Sequence, residues 1–596
     1  MANPSGFAAD GGDPRLHGAV VGQADYVAPR IRKLHDSSIM FEEYHYYAEL
    51  TRAEEDASVT SSHADGEKTG VMATIFSSKS SKVVKQGSHD GSLTNEKMAA
   101  AATPLGNHHQ VSDDEWTNAA RALRTATASA IFYLITTDIL GPFGVPFAIG
   151  TTGWGPGVAL YSVFGLLAAY SGWMLWKIFL GLDSYHYPLN TYGDLAFRIY
   201  GRTARHLMNS LQTIQLLCNV GAIIISNGQA LSQVSKFKLC YAVCCLIWAI
   251  AGFAVGQVRT LQKYGWLANA AIWLNLLIIF MTMGVAAHST PNYAAAQGAS
   301  AGAALGGDLV KPDPTTGAYP PIVHFAGLPD PGNFIGAING LMQGVYAYGG
   351  AMVFIEFMSE MKRPRDFLKG MAAAQLFIYF FYMLYGLFMY AYQGQYAVNP
   401  SYQGIEPYAW QSAGNVIAIV SGLIAAGLYG NIGVKVLYNN ILIEFLHAPP
   451  LTSKKGKILW AAIIPVYWTL AFIIAAAIPN FFGLTSLVAA VCILQFTYTF
   501  PPLLYLGYAI KKGAMLPGEG FDPATGRVVR HDAGVKRWAR GFTKGAWYLN
   551  VWNIIYMLGA GVTAGLGAYS AIEALIAAFA QPQIGAFTCH SPLDNA

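Results

Sequence analysis

The chain has 596 residues, of which 54% are hydrophobic and 12% charged, and a formal net charge of +4. Soluble domains carry about 25% charged residues, so a chain with half that share reads as a polytopic membrane protein. The small net charge, with no basic run interleaved with aromatics, excludes nucleic acid as a partner.

Residues 1–123 form a polar tail rich in Ser, Gly, Asp, His and Lys, with no sustained apolar period and no signal-peptide core. That composition predicts disorder on the cytoplasmic side of a membrane. The run SSKSSK at 77–82 offers hydroxyls and amines to phosphorylation or ubiquitination machinery, although solvated disorder accounts equally for such a run. His108 and His109 share this polar setting and are expected to be solvated. The tail ends in a short amphipathic segment, where Ser112 as N-cap and Glu115 form a capping box ahead of Trp116, Arg121 and Arg124.

Residues 124–580 read as an all-α transmembrane domain of about 11 helices, taking roughly 20 apolar residues per crossing. The expected spans are 125–150, 157–181, 207–234, 239–257, 265–287, 333–357, 371–394, 413–437, 458–479, 481–510 and 546–579. Residues 581–596 then form a short extracytoplasmic tail. With the N-terminus inside, the inner loops collect Arg198, Arg202, Arg205, Lys362, Arg363, Arg365, Lys454, Lys455 and the basic stretch 511–544, whereas the outer loops hold Lys236, Lys238 and Lys311. This asymmetry sets the orientation. Of six cysteines only Cys589 lies clearly outside the apolar runs, so no disulfide framework is expected. No metal-binding motif and no catalytic constellation is present, which excludes a metal, a resident cofactor and an enzyme.

The first span contains DILGPFGVPFAIGTTGWGPG, residues 138–157. Each proline removes a backbone donor and each glycine weakens the helix, so the chain should open at membrane depth. Five spans later NGLMQGVYAYGG, residues 339–350, loosens a helix that crosses in the opposite direction. Close helix packing through Gly340 and Gly344 is the alternative explanation, but paired interruptions in inverted halves point to a transporter. Half-helix ends offer N–H groups to a carboxylate and carbonyls to an ammonium, and an amino acid carries both. The candidate substrate-binding residues are Gly141, Pro142, Phe143, Gly144, Asn219, Gln343, Gly344, Tyr346 and Tyr348. None of them supplies a fixed charge for a charged side chain.

These stretches, together with PLNTYGDLAFRIYG, QVRTLQKYGWLANAA and GVYAYGGAMVFIEFMSEMKRPRDFLKGM, resemble the amino acid/auxin permease family, most closely its fungal neutral amino acid permeases. The resemblance implies a 5+5 inverted-repeat core of the LeuT-like type found in the APC superfamily, with helices 1 and 6 broken. It also implies import of neutral aliphatic and aromatic amino acids across the plasma membrane, or alternatively a vacuolar or other endomembrane, by proton symport or with Na⁺. Two features of some relatives are missing: residues 288–332 contain no cysteine, and helix 5 has no lysine.

Ionisable groups at membrane depth are costly and therefore functional candidates. Asp138 in helix 1, Glu356 after the second interruption and Lys435 in helix 8 are the candidates for proton coupling. Asp138 stands first; Glu356 is expected to snorkel or pair with Lys362 or Arg363, and Lys435 to anchor at the interface or to act as a fixed cation in place of a coupling metal ion near helix 1. The rival to transport is an amino-acid-sensing receptor signalling through the N-terminal tail.

Overall fold

The computed structural model describes residues 35–64, 124–258, 262–443, 446, 448–449, 453–478, 481–544, 546–579 and 587–594. The Ser112 capping box, the run at 77–82, His108, His109 and the side chain of Asp138 lie outside the described residues.

Among the described residues nine helices are long and apolar enough to cross a membrane. In chain order the helices begin with α1 (Phe41–Ala64), α2 (Ala128–Ile139), α3 (Val145–Thr152), α4 (Trp154–Leu182), α5 (Tyr192–Tyr200) and α6 (Arg202–Val234). Then come α7 (Tyr241–Val255), α8 (Gln262–Ala286), the short α9 (Tyr293–Ala299) and α10 (Ala301–Ala304), α11 (Phe334–Ala347), α12 (Phe354–Ser359) and α13 (Phe367–Gln393). The chain closes with α14 (Tyr408–Leu437), α15 (Lys454–Ala477), α16 (Phe481–Val488), α17 (Phe500–Ala514), α18 (Val535–Thr543) and α19 (Trp547–Phe579), with a two-stranded hairpin, β1 (Gly520–Asp522) and β2 (Arg527–Val529), ahead of α18. Every expected span coincides with helix. The fourth, α7, is too short to stand among the nine, and the sixth is divided between α11 and α12.

Local chemistry sets several helix starts. Thr127 caps α2 by accepting from the Ala130 N–H, Asn333 caps α11 through the Gly336 N–H, and Ser453 caps α15 through the Gly456 N–H. Thr191 and Asp194 form a reciprocal capping box on α5. The core runs through the bundle centre, where α6 packs along α14 and α15, and α13 packs along α2 and α4.

The N-terminal segment departs from the expected disorder. Helix α1 lies against the ends of the spans, with Phe41, Tyr44 and Ala48 buried. These residues at i, i+3 and i+7 share one helix face, and burying Phe41 alone contributes roughly 1.5–3 kcal/mol. Charged partners fix the rest. Glu42 accepts from Arg530 at 2.6 and 2.8 Å and from Arg537 at 3.2 Å, Tyr187 donates to Glu43, and Asp56 pairs with Arg365. Beneath them Asp183 is fully buried between Arg124, which donates twice at 2.8 Å, and Arg52, which donates at 3.0 Å. Composition averaged over the tail hid this helix, because its apolar stripe is short and its charges are satisfied only in the fold.

On the opposite face Cys240 and Cys589 form a disulfide across 349 residues of sequence, which corrects the expectation of none. Spacing could not reveal a bridge of that span. The terminal segment also caps helices: the Tyr241 and Ala242 N–H groups donate to the carbonyls of Cys589 and Thr588, and the Phe587 N–H donates to Ala476 at the end of α15. The same face holds the 288–332 segment, whose short helices α9 and α10 pack with residues 396–398 in a small second core.

Candidate functional site

Helix α2 stops at Ile139, where the Leu140 N–H donates to the Thr136 carbonyl and the Gly141 N–H to Ile139 at 2.7 Å. The chain restarts as a 3₁₀ turn, Pro142–Gly144, and continues into α3. Pro142 and Pro146 fall in first turns, where a missing N–H costs nothing. Helix α3 ends at Gly153, whose φ of 86° and 1.9 Å approach of a notional Cβ to the Gly327 carbonyl admit only glycine. The second interruption begins at Ala347. Tyr348 leaves the helix, a 3₁₀ segment Gly349–Val353 follows, and α12 resumes the path.

A cavity of about 240 Å³ lies between the two interruptions. Its wall includes Ile139–Gly141, Phe143–Val145, Ala347 and Gly349–Gly350, with Asn219 and Asn227 from α6, Asn275 from α8, Asn399 and Tyr402 from the segment after α13, and Ser421 and Tyr429 from α14. Among the described residues, no lining residue carries a charged side chain. The first N–H groups of a helical segment lack partners within it, so the restart at Phe143 and Gly144 presents donors. Asn219 adds a buried Oδ1 that has no partner among the described residues.

Six of the nine expected binding residues line this cavity: Gly141, Phe143, Gly144, Asn219, Gln343 and Tyr346. The other three stand outside the wall. Pro142 is buried at the turn, Gly344 faces Leu160 of α4 with 2.8 Å between its notional Cβ and the leucine, and Tyr348 packs among Tyr161 and Tyr382. For Gly344, and for Gly340 against Thr151, close helix packing is the role the structure gives. Gly141 is the reverse case, since nothing lies within 4 Å of its notional Cβ.

Gln343 is held on all sides. Its amide nitrogen faces Thr485 at 3.0 Å, Ser486 at 2.9 Å and the Phe482 carbonyl at 3.2 Å, while its oxygen accepts from Asn399 at 3.0 Å. Two residues absent from the sequence-based set answer the opened backbone. Asn275 donates to the Leu140 carbonyl at 2.9 Å and is itself fixed by Ser421 at 2.8 Å. The Tyr382 hydroxyl of α13 faces the Ile139 carbonyl at 2.5 Å and the Ala347 carbonyl at 2.8 Å. Each is a polar residue within an apolar helix, and position in the chain alone does not mark it.

A family model described as transmembrane amino acid transporter protein matches residues 124–515, more than half of the chain. The chain belongs to the transmembrane amino acid transporter family. A transmembrane transporter of Fusarium pseudograminearum is 26% identical over 380 residues, 63% of this chain and 74% of that protein. One from Gibberella moniliformis is 26% identical over 322 residues, 54% of this chain and 63% of that protein. The N amino acid transport system protein of Neurospora crassa is 22% identical over 453 residues, 74% of this chain and 83% of that protein.

Two of the coupling candidates of this amino acid transporter family member, Glu356 and Lys435, are not among the residues that line the cavity. Glu356 accepts from Gln212 of α6 at 3.0 Å, and its second oxygen is buried with no hydrogen-bond partner among the described residues. The expected pairing with Lys362 or Arg363 is not formed; both basic residues are exposed. Lys435 is buried in α14. Asp138 is the penultimate residue of α2.

Proposed function

We propose that this protein is a secondary active transporter that carries neutral L-amino acids by alternating access, with a proton as the coupling ion. One observation carries the reading: the cavity between the two interrupted helices is lined by residues of the two breaks, amides, hydroxyls and apolar side chains, with no charged side chain among the described residues. A zwitterion matches such a wall. Its carboxylate meets the N–H groups that restart the helix at Phe143 and Gly144, and its ammonium meets carbonyls at Ile139 and Ala347. A cationic or anionic side chain would stand without a counter-ion in a low-dielectric site. The printed name of the Neurospora relative, an amino acid transport system protein, supports the substrate class. In this reading the α1 face is cytoplasmic and the disulfide faces an oxidising exterior, consistent with the plasma membrane.

Uptake of labelled L-phenylalanine by cells carrying the protein, competed by a panel of unlabelled amino acids at two pH values with and without sodium, tests this. Neutral amino acids should compete, lysine and glutamate should not, and uptake should rise with external acidity in sodium-free medium. Absence of accumulation in every condition would leave a receptor that binds without transporting; competition by charged amino acids would refute the neutral substrate class.

A further inference from the structure

Helix α18 turns its charges inward and its apolar stripe outward. Its sequence, VKRWARGFT, places Val535, Trp538, Ala539 and Phe542 on one face and Arg537, Arg540 and Gly541 on the other. The charged face meets the protein. Arg537 donates to Glu519 at 2.9 Å and to Glu42 of α1 at 3.2 Å, and Arg540 donates to the Ala514 carbonyl at 2.7 Å and to Asp532 at 2.8 Å. Gly541 lies so near the Ile510 carbonyl that a notional Cβ would approach it to 2.1 Å. On the outer face Val535 is 85% and Trp538 56% exposed, and Phe542 stacks on Trp538. An outward apolar strip of this kind is an interaction surface.

The neighbours of α18 identify what covers the strip. Gly541 crosses α17 near Ile510 and Ala514, where Lys511 and Lys512 end the apolar run of that span. The Asn550 side chain donates to the Phe542 carbonyl at 2.8 Å, which ties the end of α18 to the first turn of the spanning helix α19. Trp547, Tyr548 and Trp552 of α19 are exposed, and aromatic residues at the end of a span mark the headgroup level. The strip therefore lies at that level. Lys536 and Lys544, both exposed, flank it.

We propose that α18 is an interfacial helix: Val535, Trp538, Ala539 and Phe542 are immersed at the headgroup–acyl boundary of the leaflet on the basic side of the protein, and Lys536 and Lys544 hold the anionic headgroups of that leaflet. Apolar burial and attraction to anionic lipid act together on a helix of this composition. Because Arg537 also binds Glu42, the leaflet becomes part of the seat of α1. None of this depends on which solute the cavity takes.

A nitroxide on Val535→Cys, in the full chain in lipid nanodiscs and corrected for the signal of identically treated wild type, tests the immersion. Its collisions with oxygen, which partitions into lipid, should exceed those with a water-soluble nickel chelate, and Ala524→Cys at the exposed hairpin tip should show the reverse order. A label at 535 reached mainly by the chelate would lie in water, and one shielded from both would lie against a second copy or another protein; either result overturns the proposal. A fluorophore on the same cysteine, quenched by trace spin-labelled phosphatidylserine or phosphatidylcholine, tests the charge. Phosphatidylserine should be enriched about fivefold, the factor for one lysine near an anionic surface. Lys536→Gln with Lys544→Gln should remove this preference and leave the collision order at 535 unchanged. Equal quenching by the two lipids without those substitutions overturns the headgroup contact.

Discussion

At the scale of single residues, two glycines that look alike in sequence separate by what surrounds them. A side chain at Gly141 enters open space, and that space is the cavity. Gly141→Leu should therefore abolish uptake at unchanged surface level, measured by labelled uptake against surface biotinylation; retained uptake would place the substrate elsewhere. A side chain at Gly344 meets Leu160, so Gly344→Ala should act on stability, by about 1–3 kcal/mol through overpacking. Glu356 presents a different residue-scale question. A buried carboxyl with Gln212 as its neighbour and no ion pair among the described residues is suited to exchanging a proton. Glu356→Gln keeps the shape and removes the exchangeable carboxyl proton, so uptake should persist as exchange while losing its dependence on external pH. A pH profile parallel to wild type would clear Glu356 of the role.

At the scale of elements, α1 is held where Asp183 sits between two guanidiniums. Burial works to raise the Asp183 carboxyl, but Arg124 and then Arg52 outweigh it and hold the group below its usual range. A carboxyl lowered in the folded state stabilises fully above the unfolded value of about 3.9, and the contribution is lost as pH falls through the lower folded value. The Asp183 contribution to docking of α1 should accordingly be constant between about pH 5 and 8. Asp183→Asn leaves Arg124 buried without its carboxylate, while Arg52 keeps Glu55 at 3.0 Å, at a cost of about 3–5 kcal/mol. Thermal unfolding in detergent, with limited proteolysis of residues 35–64, should show a lower midpoint and faster cleavage; unchanged cleavage would mean that the apolar face of α1 suffices. The spans themselves were legible because a crossing needs a long apolar run, and the interruptions because Pro142, Pro146 and the paired glycines cannot continue a helix. Helix α1 was not, since Phe41, Tyr44 and Ala48 make a stripe too brief to stand out from a polar tail. Asn275 and Tyr382 escaped for another reason: their partners are main-chain carbonyls, which carry no sequence signal.

At the scale of the whole molecule, the C-terminal segment ties two distant helices on one face. Its carbonyls cap the start of α7, its Phe587 N–H caps the end of α15, and the Cys240–Cys589 bond fastens the arrangement. The basic loops and α1 lie on the other face, so charge and disulfide bear independently on the proposed orientation. Both assignments can be tested on intact cells. After treatment with a membrane-impermeant reductant, an impermeant maleimide should label Cys240 and Cys589 from outside, and a Cys240→Ser, Cys589→Ser double variant should lose that labelling. Cys244, Cys245 and Cys492 are buried and Cys218 is partly buried, so the labelling left in the double variant measures the background of the free thiols. Labelling that appears only after permeabilisation would invert the topology, and with it the direction in which the cavity loads. The double variant should still fold, because the caps on α7 and α15 survive without the bond, but its thermal midpoint should fall by the equivalent of about 2–4 kcal/mol.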